Sequence, residues 1–244
     1  MCGRFVQAGS LQQLSTLLNV AVDDLSATPE ARYNIAPAAR VAALCDRNDH
    51  LTVAQFEWGL IPSWSKDPSI GQRLVNARAE TVWEKPSFRA SIRSSRVVVP
   101  ADGFFEWSSA RRDGPRGRNG NPVREPHYFT RGDEQPVLIG GISSLWRNPA
   151  DAEDIRHTLC LLTTAANPTM QPIHHRMPVI IEASGVEQWL LTSEHDAREA
   201  LDHVLTPASE DVLVEHVVST EVNNSRNEGE HLIAPTDESP TTLF

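Results

Sequence analysis

The sequence contains no apolar run approaching the roughly 18 residues that a membrane span requires, and no basic stretch with an apolar core near its N-terminus. A soluble, cytoplasmic protein is the expectation. Cysteine is scarce. Cys2, Cys45 and Cys160 form no C-x-x-C pair and are odd in number, which argues against both a disulfide framework and a zinc knuckle. Lysine is nearly missing: Lys66 and Lys85 are the only two among the 22 basic residues. No repeat or compositional break divides the 244 residues, so one domain over 1–235 is expected, with a polar, proline-bearing flexible tail at 236–244.

The net charge of −10 is unevenly placed. Residues 1–193 carry 20 acids and 20 bases, and residues 194–244 carry 12 acids and 2 bases. Within the neutral part, residues 71–124 hold 11 basic side chains against 5 acids, a local excess of 6. Such a stretch suits a phosphate backbone or a plain solvated face.

Short strand-like runs bounded by Gly, Pro, Asn or Asp are predicted at 41–45, 51–58, 96–99, 104–107, 127–130, 137–145, 157–164 and 212–218. Ser10 with Leu11, Leu14, Leu17 and Leu18 predicts an N-capped amphipathic helix. Ser184 with Glu187 predicts a capping box for a helix through Leu191, and 193–205 predicts another helix. Strands in the body and helices clustered late indicate an α+β, β-rich fold with mostly antiparallel strands and a few peripheral helices. The stretch from Ala110 to Pro126, full of Arg, Gly, Pro and Asn, reads as a long exposed loop.

Several segments carry chemistry. Behind a removable Met1, Cys2 of "MCGRF" becomes a 1,2-aminothiol, with reference pKa values of about 7.7 to 8.0 for the amine and about 8.5 for the thiol. Toward an aldehyde the amine forms an imine on which the thiol closes a five-membered ring. Toward an amide the thiolate is an acyl-transfer nucleophile. "NARAE" puts Asn76, Arg78 and Glu80 at spacing two, on one face if the segment is a strand. Glu106 lies between Phe105 and Trp107, an environment fit for a general acid/base. His174 and His175 of "IHHRMP" offer imidazole for proton transfer. No third and fourth ligand stand at a metal-binding spacing beside them, so no metal and no other cofactor is expected. Trp58 and Trp64 of "WGLIPSW" read as core, groove wall or base-stacking platforms. Cys45 and Cys160 sit in apolar runs and read as core, and the remaining histidines, His127 among them, form no constellation.

Taken in order, "MCGRF", "RYNIAP", "WGLIPSWSKD", "NARAET" with "KPSFR", "VPADGFFEW", "LTTAAN" and "IHHRMPVI" resemble the motifs of the SRAP proteins, the abasic-site processing family, over nearly the whole chain. Each motif alone is weak and the ordered set is specific. The resemblance implies a single SRAP domain, a monomer, that binds single-stranded DNA and forms a thiazolidine with the ring-opened aldehyde of an abasic site. Met1 must first be lost, a step the family links to self-processing peptidase activity, and weak lyase behaviour accompanies the imine. Carried over by motif, Cys2 is the crosslinking nucleophile, Asn76 positions the reacting groups, Glu106 transfers protons and His174 assists sugar ring opening. Arg4, Arg78 and Arg176 hold phosphates, Trp64 and Trp107 meet bases, and Asn34 lines the site. The loop after Trp107 is longer than the family's usual connection, which puts DNA contacts there in doubt. Two other classes compete with this reading. One is an N-terminal-nucleophile amidohydrolase, which also begins Met-Cys-Gly but calls for a glycine-rich oxyanion pattern not found downstream. The other is a non-catalytic single-strand binder with an inert Cys2.

Overall fold

The computed structural model describes residues 2–9, 16–17, 30–47, 50–108 and 124–236. Its strands are β1 (Phe5–Gln7), β2 (Arg32–Ile35), β3 (Arg40–Arg47), β4 (His50–Trp58), β5 (Asn76–Arg78), β6 (Arg96–Ala101), β7 (Gly103–Trp107), β8 (Pro126–Arg131), β9 (Val137–Asn148), β10 (Asp151–Ala165), β11 (Arg176–Pro178) and β12 (Leu213–Val217). β12, β8, β7, β1 and β2 form one five-stranded antiparallel sheet. In the second sheet the pairings β10–β4–β3–β6–β9 return to β10, so the sheet closes on itself and removes its edges.

The closed ring explains why β3 and β6 read as nearly continuous apolar runs: both faces of each strand are covered. Successive residues alternate between two cores. Ala42, Leu44, Val53, Val98, Leu138, Cys160 and Leu162 face the one closed by Trp189, Ala197 and Leu201 of the late helices. Val41, Ala43, Phe56, Val97, Val99, Leu159 and Leu161 face the one shared with Phe5, Phe104 and Phe129 of the smaller sheet, and with Cys2. The early half of β10 stands out as an arm with β9, where Leu145 and Ile155 are exposed.

Arg96 ties the helices to the barrel. Its guanidinium is buried and donates to carbonyls at the ends of two helices, Ile92 and Arg93 of Arg89–Ser94 and Trp189, Leu190 and Thr192 at the end of Val186–Leu191. A cation at helix C-termini satisfies carbonyls that have no partner in the helix and meets the negative end of each dipole. Arg96 therefore leaves the basic stretch 71–124 as a structural residue, not a surface charge.

The predicted strands all form. Of the predicted helices, 193–205 is helical in two pieces, Ala197–Leu201 and the 3₁₀ turn Asp202–Leu205, after Ser193 Oγ accepts from Asp196 N at 3.3 Å. The capping box at Ser184 does not form: Ser184 lies within the 3₁₀ turn Ala183–Gly185, and Gly185 takes the cap position of Val186–Leu191. Thr16 and Leu17 are helical. The rest of the predicted N-terminal helix, most of the Ala110–Pro126 loop and residues 237–244 lie outside the described residues. No helix among those described is long and apolar enough to cross a membrane.

Candidate functional site

Cys2 lies in the seam between the small sheet and the barrel, fully buried in the apolar core that also holds Phe5, Trp58, Met170 and Met177. The backbone holds it there: the Arg4 carbonyl accepts from Phe105 N at 2.9 Å, and Phe5 pairs with Phe104, so the N-terminus is a strand of the sheet that carries Glu106.

Asn76 reaches the same place from the barrel. β4 pairs in parallel with β10 at Thr158 and Leu159, and β5 takes over the same edge at Leu161 to Thr163. Between them the chain makes an excursion closed by Leu60 N donating to Leu74 O at 3.0 Å and the Trp58 indole N–H donating to Val75 O at 2.9 Å. Gly59 makes that exit possible: its φ is +144°, and a Cβ there would stand 2.7 Å from the Gly71 carbonyl. Asn76 Nδ2 then donates to the Cys2 carbonyl at 2.9 Å. Among the described residues its Oδ1 is buried without a hydrogen-bond partner, a costly arrangement that points to an incoming donor. Arg78 is on the same strand and exposed, whereas Glu80 has left the strand for the 3₁₀ turn Ala79–Thr81, so the three do not share one strand face.

Glu106 on β7 is buried. Burial pushes the Cys2 thiol well above the ordinary thiol range, and the charge of Glu106 pushes it further. The carboxylate thus acts on Cys2 electrostatically and opposes a standing thiolate. Opposite Glu106 on β8 is His127, also buried, whose Nδ1 is 2.8 Å from Glu215 Oε2. Sequence reasoning left His127 unassigned, and only strand register brings it beside Glu106.

His174 closes a turn that Asn167 organises, with Met170 N donating to Asn167 Oδ1 at 3.0 Å and His174 N to Met170 O at 2.9 Å. Its Nδ1 lies 3.0 Å from Arg176 N, an obligate donor, and the ring stacks on His175 at 4.5 Å. His175 titrates low because of the neighbouring imidazole, with burial and the charges of Arg176 and Arg78 adding to it.

The predicted phosphate ligands divide. Arg78 is exposed. Arg4 is half-buried, with Nη1 donating to Asn34 Oδ1 at 2.6 Å and to Val222 O at 2.8 Å, and its guanidinium 5.7 Å from the Trp107 ring centre. Trp107 itself donates to Asn223 Oδ1 at 2.6 Å. Arg176 is 8% exposed, and its guanidinium is engaged by both oxygens of Glu80 and by the Thr163 carbonyl, while its Nε is buried without a partner among the described residues. Asn34 is fully buried, and its Nδ2 donates to the carbonyls of Val222, Asn224 and Asn227. It fastens the C-terminal turn to Arg4. Trp64 is 59% exposed, with its indole N–H 3.4 Å from Pro86 O. Among the described residues no cluster of three or more His, Cys, Asp or Glu is placed to hold a metal ion.

A model of the family "SOS response associated peptidase (SRAP)" matches residues 1–225. Abasic site processing protein YoqW of Bacillus subtilis is 31% identical over 233 residues, covering 96% of this chain and 99% of its own. Abasic site processing protein YedK of Escherichia coli is 30% identical over 240 residues, covering 96% and 100%. In the fold, a Bacteroides thetaiotaomicron protein solved by crystallography is similar at a TM-score of 0.79 and 24% identity, covering 96% of this chain and all of that one. The matched residues include every motif from "MCGRF" to "IHHRMPVI", and three of those motifs meet at Cys2, Asn76 and Glu106: the chain belongs to the SRAP family.

Proposed function

We propose that the protein processes abasic sites in single-stranded DNA by forming a covalent thiazolidine through Cys2 once Met1 is removed. The carrying observation is the Asn76 amide, which holds the Cys2 carbonyl with one end and keeps a buried acceptor at the other, beside Glu106. Relatives named abasic site processing proteins over nearly their whole length support the substrate.

The chemistry of a thiazolidine sets an order of events: the α-amine of Cys2 attacks first, and the thiol closes the ring on the imine. The abasic sugar is mainly a closed hemiacetal; as it opens to the aldehyde, His174 donates a proton to the ring oxygen and Glu106 takes the proton of the anomeric hydroxyl, returning it to the water that leaves on imine formation. The amine of Cys2 adds to the carbonyl carbon and one water leaves, giving the imine. Asn76 Oδ1 accepts an N–H of the attacking amine and aims its lone pair. The thiol then adds to the imine carbon. A C–S bond forms, Glu106 takes the sulfur proton, and the ring nitrogen is protonated in turn. A base that removes a proton from C2 of the sugar at the imine stage gives strand cleavage by β-elimination instead, which is the source of weak lyase activity. Arg78 and Arg4 supply phosphate contacts and Trp64 a stacking surface.

The test incubates Met1-free protein with a single-stranded oligonucleotide carrying one abasic site, beside Cys2→Ala and an undamaged strand. A denaturant-resistant adduct that needs both Cys2 and the lesion supports the reading. Glutamine hydrolysis without an adduct returns the amidohydrolase, and DNA binding without an adduct returns the passive binder.

A further inference from the structure

Thiazolidine formation releases a proton inside the fold. The α-amine, with a reference pKa of about 7.7 to 8.0, is mostly an ammonium at pH 7, and the ring amine of the product is neutral. From ammonium, aldehyde and thiol to the neutral ring and one water, one proton leaves. It starts in an apolar core, within reach of the charge of buried Glu106, and has to gain solvent.

The smaller sheet offers a route. β1 lies on one side of β7 and β8 on the other. Phe104 and Phe129 are opposed across β7 and β8, and their rings stack with centres 5.2 Å apart in the core that holds Cys2. Two residues along, on the same face, Glu106 is opposed to His127. Directly opposed residues have Cβ atoms about 4.5 to 5.5 Å apart, so the side chains meet directly or across one water. His127 is 7% exposed, and its Nδ1 is 2.8 Å from Glu215 Oε2 on β12. A carboxylate only accepts, so Nδ1 carries the proton of the neutral ring and Nε2 the lone pair. Among the described residues Nε2 is buried without a hydrogen-bond partner, and Glu125 Oε2 stands 3.5 Å from it on a side chain 60% accessible. Three carboxylates thus face the ring: Glu106 from β7 on the buried side, Glu125 from the entry to β8 on the open side, and Glu215 from β12 fixing the tautomer.

We propose that His127 relays the proton of the Cys2 α-ammonium to solvent: Glu106 takes it, His127 Nε2 accepts it from Glu106, and it passes to water at Glu125. Each transfer breaks one bond to hydrogen and forms one, and Glu106 is a carboxylate again before the sugar opens. His127 is a positioning residue, acting on Cys2 through Glu106, and the inference rests on the thiazolidine reading above.

The test compares Met1-free wild type with His127→Asn, which still donates to Glu215 but has no basic nitrogen, and Glu215→Gln, which keeps an acceptor without the charge. Saturated adduct rates on abasic single strands are taken as the ratio of variant to wild type. At about pH 6.5 His127→Asn is slower by about a hundredfold, the low end for a positioned proton-transfer group, and Glu215→Gln by about tenfold. At about pH 9, where the reference amine has lost its proton unaided, both come within about threefold of wild type. Affinity for an undamaged strand is unchanged, since no phosphate contact is lost. If His127→Asn does not fold, Glu215→Gln, altered at a side chain 32% accessible, carries the same comparison. A loss of equal size at both pH values is that of packing and overturns the relay, as does no loss at either. A parallel arm without DNA uses acetaldehyde and follows the protein mass. If acetaldehyde gives a product and abasic strands give none, the abasic-site reading fails, and the pH comparison on acetaldehyde decides the relay. No product from either aldehyde overturns both.

Discussion

Replacing Asn34 with alanine tests whether the C-terminal turn and the N-terminal arm are one unit. The side chain is fully buried and makes four contacts: Nδ2 to the carbonyls of Val222 at 3.3 Å, Asn224 at 3.0 Å and Asn227 at 2.9 Å, and Oδ1 from Arg4 Nη1 at 2.6 Å. A neutral hydrogen bond contributes about 1 kcal/mol net and a charge-assisted one about 1.5 to 3, with a further penalty where a buried partner is left unpaired. The Val222 contact is long and is discounted. The remaining contacts give a loss of about 4 kcal/mol for Asn34→Ala. In a domain of this size that lowers the melting temperature by about 8 to 16 °C. Because half-buried Arg4 depends on Asn34, a cycle with Arg4→Met shows a coupling of about 1.5 to 3 kcal/mol in urea unfolding. A loss under about 1 kcal/mol, or additivity within about 0.5 kcal/mol, refutes the claim that Asn34 fastens these segments.

Glu106→Gln keeps the shape of the buried side chain and removes its proton-accepting charge, so adduct formation slows about 10² to 10⁴-fold while affinity for undamaged single strands is unchanged. Trp64→Ala weakens single-strand binding by about 1 to 3 kcal/mol, the worth of one stacked base; its exposure keeps the melting temperature the same, so loss of stability contradicts this role. Asp133 is held down to about 2, chiefly by the hydrogen-bonded Arg131 guanidinium. A carboxylate lowered on folding stabilises above its unfolded pKa of about 3.9 and loses that contribution as pH falls through its folded value. Asp133→Asn therefore destabilises at pH 7, by under about 1 kcal/mol for so exposed a pair, and matches wild type at pH 2 in denaturant titrations.

The strand pattern was legible because short apolar runs, continuous or alternating, bounded by Gly, Pro, Asn or Asp survive any tertiary arrangement, and β3, β4, β6 and β9 lie where that pattern put them. Closure of the barrel was not legible, since it depends on β10 meeting both β4 and β9. Among candidate site residues, Cys2 was readable from its place behind Met1, and Asn76 and Glu106 as polar groups in apolar company. Guanidinium destinations were not: Arg96 ends on carbonyls 93 to 96 residues away, and Arg176 on a carboxylate 96 residues back. An arginine looks the same in sequence whether it faces a phosphate or the inside of the fold. His127 was missed for the same reason, as Glu215, 2.8 Å from its Nδ1, comes from β12 and Glu106 stands opposite it on β7.

The claim that Cys2 reacts through its amine and thiol together is tested most directly by the mass of the adduct before and after borohydride. Imine formation loses one water and thiol addition loses nothing. Met1-free protein is therefore expected to give an adduct one water lighter than protein plus oligonucleotide, with the mass unchanged by borohydride. An adduct that gains two hydrogens, or one formed equally well by protein that retains Met1, contradicts the thiazolidine.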